Sequence, residues 1–398
     1  MSNTPPDPSR PDWVPDNAGA DFTTRVMKGV DGGHDGMATR LGDMANVPNP
    51  ANKDVPLTPP LEVTPQPFRR RRLNVEEYVQ GILAGDRTIL ARAITVVESN
   101  AAADSALSQE ILRQILPHTG KSMRVGITGV PGVGKSTFIE SFGCYLCEQG
   151  HRVAVLAVDP SSSLTRGSIL GDKTRMEKLS REANAFIRPS PSGGTLGGVT
   201  RKSRETMLVC EAAGFDVLLI ETVGVGQSET TVRSMVDFFL LLLITGAGDE
   251  LQGIKKGIVE LADTLLVTKA DGDNELRAQT FCGDMERVIH HLASPTHGWK
   301  PRAIRCSALT GAGIPEAWTI IETFKALTSA HGSFEQRRRE QTLEWVHAMA
   351  HDALLAAFHQ HPEVKTLLPE IEKQVLDGQI PAASAAQSLL SKFTYPLG

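Results

Sequence analysis

Long apolar runs are scarce in this 398-residue chain. The longest, FFLLLLI from Phe238 to Ile244, falls far short of the roughly 20 residues a bilayer helix needs. It reads as a buried strand, and no membrane partner is expected. Charge of one sign is not in excess: 41 Lys and Arg stand against 46 Asp and Glu, a formal net charge of −5. That balance gives no general affinity for nucleic acid. Five cysteines, an odd number, make no secreted disulfide framework and fit free thiols in a reducing compartment. The N-terminus, MSNTPPDPSRPDW, lacks an apolar signal core, and its aspartates argue against a mitochondrial presequence. The expected location is the cytoplasm.

What is present falls into four stretches. Residues 1–73 hold half of the 24 prolines and little sustained apolar pattern, too little to offset the entropy of ordering, so a disordered tail is expected. From 74 to 121 the pattern is helical. Asn74 and Glu77 stand in capping-box positions, and Val75, Tyr78, Val79, Ile82 and Leu83 follow at helical spacing. From 122 to 328 short apolar runs alternate with helical ones: MRVGIT, RVAVLAVD, AFIR, DVLLIET, FFLLLLIT, DTLLVTKAD and RAIRCSA. Strands apolar throughout, separated by helices, predict a parallel sheet covered on both faces. From 329 to 398 the chain is helical again. Ser333 and Gln336 suggest a capping box opening a helix to about Gln360, with Leu343, Val346, Ala350 and Leu354 as its apolar stripe. Such an arm packs on its own chain or pairs with a second copy.

The stretch GVPGVGKST matches G-x-x-x-x-G-K-[ST] from Gly129 to Ser136, after a strand and before a helix. Gly129 and Gly134 let the backbone turn its N–H groups onto phosphate oxygens, and the helix start adds its positive end. Lys135 is placed to reach the β and γ phosphates, and the Ser136 hydroxyl to ligate Mg²⁺. A second strand ends on an acid, in LLIETVGVGQSE. Glu221 there is placed to hold Mg²⁺, directly or through water, or to orient the attacking water, and Gly224 to offer its N–H to a γ-phosphate. Asp159, at the end of the strand after the cradle helix, is a further candidate on the metal side; Asp172, in LGDKTRM, is one that spacing alone leaves open.

TKAD, Thr268 to Asp271, ends another strand. A carboxylate at Asp271 accepts hydrogen bonds from guanine N1–H and the 2-amino group; adenine offers neither in that arrangement. The Lys269 stem is placed to pack along the base, and Ser307, Ala308 and Leu309, after the next strand, are placed for backbone contacts with guanine O6. In this order after a phosphate cradle, the motif favours GTP over ATP.

With VDPSSSLTRGSILGDKTRM, GGTLGGVT, IETVGVGQSE and GDELQGIKKGIVELAD added, residues 74 to 398 resemble the MeaB/ArgK family of GTPases, chaperones of adenosylcobalamin-dependent acyl-CoA mutases. The resemblance implies an α/β fold of the P-loop NTPase type, with a mostly parallel sheet of the signal-recognition-like GTPase class, a helical preface and a C-terminal helical dimerisation arm. It implies GTP hydrolysis, docking on a mutase such as methylmalonyl-CoA mutase, and gating or rescue of its cofactor. It carries over GTP/GDP contacts at Gly129, Val130, Pro131, Gly132, Val133, Gly134, Lys135, Ser136, Thr137, Asp271, Ser307, Ala308 and Leu309. It carries over a Mg²⁺ environment of Ser136, Asp159, Asp172 and Glu221, and a homodimer. One departure is Thr268, where the family usually has asparagine.

Other signals are weaker. Cys144 and Cys147 fit a buried pair better than a redox or zinc site. His347 and His351 lack a third ligand. Lys255 and Lys256 stand in a stretch like the family's additional switch loop, and Arg201 and Arg204 follow a glycine-rich loop leading into a helix at Val199; phosphate, partner or plain surface roles stay open for all four. The alternative function is a P-loop kinase acting on a small molecule or a lysine/arginine/ornithine transport component.

Overall fold

The computed structural model describes residues 71–158, 176–189, 196–222, 228–246 and 256–393. The tail reading for residues 1–70 lies outside them, as do Asp159, Asp172, Gly224 and Lys255.

Three helices come first: α1 (Val75–Leu83), α2 (Arg87–Val97) and α3 (Ala102–Ile115), the last running into a short 3₁₀ turn, Leu116–His118. The expected capping box is present on α1. Asn74 accepts from the Glu77 amide at 2.8 Å and Glu77 accepts from the Asn74 amide at 2.9 Å. Gly85 then reverses the chain at φ 71, and the Asp86 carboxylate caps α2 through the amides of Thr88 and Ile89.

All seven expected strands form, and they make one parallel sheet ordered β3-β2-β4-β1-β5-β6-β7. In chain order they are β1 (Met123–Gly129), β2 (Val153–Val158), β3 (Ala185–Arg188), β4 (Val217–Thr222), β5 (Phe238–Leu243), β6 (Thr264–Val267) and β7 (Arg302–Arg305). The helices among them are α4 (Lys135–Glu148), α5 (Glu177–Arg181), α6 (Leu196–Ala212), α7 (Ser228–Arg233), α8 (Lys256–Val259), α9 (Glu275–His290) and α10 (Ile314–Ala330). The period-2 geometry of a strand explains why these segments are apolar throughout. On β5, Phe239, Leu241 and Leu243 enter one core with α1–α3 and α6. Phe238, Leu240 and Leu242 enter the other, with α4 and α10.

The C-terminal stretch comprises α11 (Ser333–Gln360), α12 (Pro362–Leu376) and α13 (Ala382–Lys392). The extent of α11 matches expectation, but its capping box does not form. Gly332, at φ 70, is the cap residue, and its carbonyl takes the Gln336 amide at 3.1 Å. Ser333 is the first helical residue, and its hydroxyl turns back to the carbonyls of His297 and Thr328 at 2.9 and 3.2 Å. Helix α6 likewise starts at Leu196, ahead of the expected Val199. No described helix is long and apolar enough to cross a membrane.

Candidate nucleotide site

The cradle sits where β1 meets α4. Gly129 has φ 153, and a Cβ there would lie 2.6 Å from the Leu242 carbonyl oxygen on β5, so only glycine allows that approach. Gly134, at φ 99, is the cap residue of α4, and no side chain caps it. The first amides of α4 therefore lack intrahelical partners, the arrangement that favours an anion. Lys135 curls back over the loop, and its ammonium donates to the carbonyls of Gly129 at 2.8 Å and Val130 at 3.3 Å. Burial lowers its pKa, while the charges of Glu221 and Glu229 pull it back up.

Glu221 lies on β4 in register with Ile127 of β1 and Ala157 of β2. It is only 6% exposed. It accepts the Ser136 hydroxyl at 3.2 Å, and beside it Thr222 donates to Thr128 at 2.8 Å, tying the strand ends together. The predicted acid and the predicted hydroxyl are thus adjacent. A hydroxyl and a carboxylate are the hard oxygen donors that Mg²⁺ takes, so these residues fit that ion. Among the described residues no cluster of three or more His, Cys, Asp or Glu forms a metal site; Asp159 and Asp172 lie outside them.

Across Gly134 a cavity of about 220 Å³ opens, lined by Val133, Gly134, Thr137, Phe138, Thr268, Lys269, Asp271, Cys306, Ala308 and Leu309. Ser307 does not line it. This fully buried residue donates its hydroxyl to the Asp271 carboxylate and fixes that acid in place. The Lys269 stem crosses toward the cradle, its Cε 3.9 Å from where a Gly134 Cβ would stand. Thr268 joins the two loops. Its hydroxyl lies 2.7 Å from the Val133 carbonyl of the cradle and 3.1 Å from that of Leu243. Threonine thus keeps the base strand bonded to the phosphate loop.

The remaining candidates disperse. Cys144 and Cys147 are free thiols, and the Cys147 thiol is pushed up to about 11, first by burial and then by Glu182. Arg201 pairs with Glu205 at 3.1 Å. Arg204 is buried and joins α6 to two later segments, donating to the carbonyls of Gln341 at 2.8 Å and Ser234 at 2.7 Å. It serves as an internal tie, and neither phosphate nor surface roles fit it. The sequence offered no sign of this, because its partners lie far along the chain.

A parallel sheet with a glycine cradle, a lysine, and an acid-lined pocket on the same edge defines a P-loop GTPase. The comparisons agree. A family model described as methylmalonyl-CoA mutase-associated GTPase MeaB matches residues 90–363. A Caulobacter vibrioides protein named as a GTPase is 54% identical over 321 residues, 81% of this chain and 98% of its own. The mouse mitochondrial methylmalonic aciduria type A homolog is 45% identical over 329 residues, 80% of this chain and 79% of its own. Among solved structures, an LAO/AO transport system kinase aligns with a TM-score of 0.66 at 37% identity, covering 81% of this chain and 99% of that one. The chain belongs to the MeaB family of GTPases.

Proposed function

We propose that this GTPase is a nucleotide switch that docks on an adenosylcobalamin-dependent acyl-CoA mutase, methylmalonyl-CoA mutase or a relative, and gates or protects its cofactor loading. The observation that carries the reading is the shared cradle: the Ser136–Glu221 contact lies on one side of it and the Asp271 pocket on the other. The family's description as a methylmalonyl-CoA mutase-associated GTPase suggests the partner.

In this reading the backbone from Gly129 to Thr137 holds the phosphates. Lys135 exchanges its two carbonyl partners for β- and γ-phosphate oxygens. Asp271, oriented by Ser307, accepts from guanine N1–H and the 2-amino group; Lys269 covers the base, and Ala308 and Leu309 present backbone to its O6. Ser136 and Glu221, with Asp159 and Asp172, would hold Mg²⁺, which when bound neutralises charge on the β and γ oxygens. Glu221 also orients the attacking water, and Gly224 senses the γ-phosphate. Hydrolysis is slow alone and rises in the complex, and the working form is a cytoplasmic homodimer built through α11.

Steady-state phosphate release from GTP, with and without the mutase, tests this. A several-fold rise on adding mutase is expected; equal rates contradict it. The solved relative named as a kinase motivates a parallel arm with γ-labelled GTP and basic amino acids or their binding proteins. Label moving to an acceptor and not to water would replace the switch reading with a kinase.

A further inference from the structure

Lys269 has φ 55 and is the one non-glycine residue with positive φ among the described residues. A side chain bearing a Cβ adopts that conformation at a cost, so surrounding contacts must hold it there. The turn matters because it sends the Lys269 stem over Gly134 and sets Asp271, two residues on, against the pocket.

The contact that holds it comes from Asn274, at the end of the 3₁₀ turn Gly272–Asn274. Its Nδ2 donates to the Lys269 carbonyl at 2.7 Å. Its Oδ1 accepts from the Thr245 hydroxyl at 2.6 Å. Its own amide donates to the Asp271 carbonyl at 3.1 Å. Only an amide side chain fits between these partners. One end must donate to a carbonyl and the other must accept from a hydroxyl. An aspartate would set an oxygen against the Lys269 carbonyl, and an alanine would leave both neighbours unpaired.

Thr245 is itself fixed, because it stands just beyond β5. That strand's Leu242 pairs with Gly129, its carbonyl leaving no room for a Cβ there, and its Leu243 carbonyl accepts the Thr268 amide at 2.8 Å. The exit of β5 is therefore a common post for the phosphate cradle and the base loop. Asn274 does not line the pocket, so it acts through Lys269 and Asp271.

We propose that Asn274, seated on Thr245, is a positioning residue for guanine recognition: it locks the left-handed turn at Lys269 and thereby the aim of Asp271. The inference rests on the reading of Asp271 as the guanine acceptor. The test uses the full chain and the variants Asn274→Ala, Asn274→Asp and Thr245→Val, with GDP and ADP titrated by calorimetry and GTP turnover measured alongside. The unaltered chain should prefer GDP to ADP; if it does not, the guanine reading itself fails, whatever the variants do. Given that preference, Asn274→Ala should weaken GDP about tenfold, as expected for lost hydrogen bonds at a recognition loop. It should leave ADP binding unchanged and raise KM for GTP with kcat held within about twofold. Thr245→Val should move GDP affinity the same way by a smaller factor, and the double variant Thr245→Val/Asn274→Ala should be no weaker than Asn274→Ala alone. Asn274→Asp should not restore affinity. Thr245→Val exchanges a hydroxyl for a methyl of similar size and decides the matter if Asn274→Ala does not fold. Affinity for GDP within about twofold of the unaltered chain in both Asn274→Ala and Thr245→Val would overturn the proposal. So would a fall in kcat with KM unchanged.

Discussion

Asp271 is the side chain whose chemistry is simplest to invert. A carboxylate there only accepts. An amide in its place would donate from one end, which suits the C2 carbonyl of xanthine and opposes the 2-amino group of guanine. Asp271→Asn should therefore weaken GDP by about 3 kcal/mol, on the order of a hundredfold. Xanthosine diphosphate should become the better ligand. Competition between the two nucleotides checks this, and unchanged guanine preference would remove Asp271 from the site. Its neighbour Cys306 gives a second check. That thiol is pushed up to about 12, first by burial and then by the Asp271 charge. It should be almost entirely protonated near neutral pH, so iodoacetamide should leave it unlabelled in the folded chain and label it after denaturation. Mass spectrometry of the native protein showing rapid labelling of Cys306 would contradict the packing around Asp271.

At the sheet edge opposite the cradle, a few buried ionic contacts tie the elements to one another. Glu211, at the end of α6, meets Arg124 of β1 at 2.7 Å with its side chain 1% exposed. Burial alone would raise its pKa. The Arg124 charge, with hydrogen bonds from Arg124, Ser122 and the Gly120 amide, outweighs burial and holds the carboxyl below its ordinary 4.5. A depressed folded pKa stabilises the fold above the unfolded value and loses that stabilisation as pH falls through the folded one. Glu211→Gln should cost about 3 kcal/mol at neutral pH, because Arg124 is left buried without its charge partner. The gap between the two proteins in thermal unfolding should then close as pH drops below 4.5. A gap that is constant with pH would rule out the ionic account. Helix α11 is anchored in the same region: Arg338 binds the Asp237 carboxylate at 2.6 Å and the Ser122 carbonyl at 2.6 Å, and Gln341 binds the Val236 carbonyl at 2.8 Å.

These contacts also show where sequence patterns stop informing. The strands were legible because a strand buried on both faces must be apolar at every position, and β5 is. The cradle and the TKAD pocket were legible because glycine positions and a lone acid are local demands of the ligand. The start of α11 was not. SFEQ fits a local capping template, yet the Ser333 hydroxyl is taken by His297, 36 positions earlier. For Arg204 the sequence leaves phosphate, partner and surface roles open, and Gln341, 137 positions later, supplies its acceptor. Thr268 falls between these cases: its place in the motif was plain, but its bond to Val133 depends on how the two loops meet.

Viewed as one molecule, the chain pairs a nucleotide site with a long helix, α11, that carries exposed apolar residues among polar ones. Leu343 is 61% exposed, Val346 56% and Leu354 52%, a stripe suited to a second copy of the same helix. If α11 builds the homodimer, the paired change Leu343→Glu with Leu354→Glu should halve the solution mass by light scattering and leave GDP affinity unaltered. An unchanged mass would move the interface elsewhere. The switch reading depends on the pocket beside the cradle taking guanine. Calorimetric titration of the full chain with GDP and with ADP, both with Mg²⁺, tests that most directly. The account predicts saturable GDP binding at one site per chain, with ADP weaker by at least on the order of a hundredfold. Equal affinity for the two, or no binding of GDP by folded protein, would contradict it.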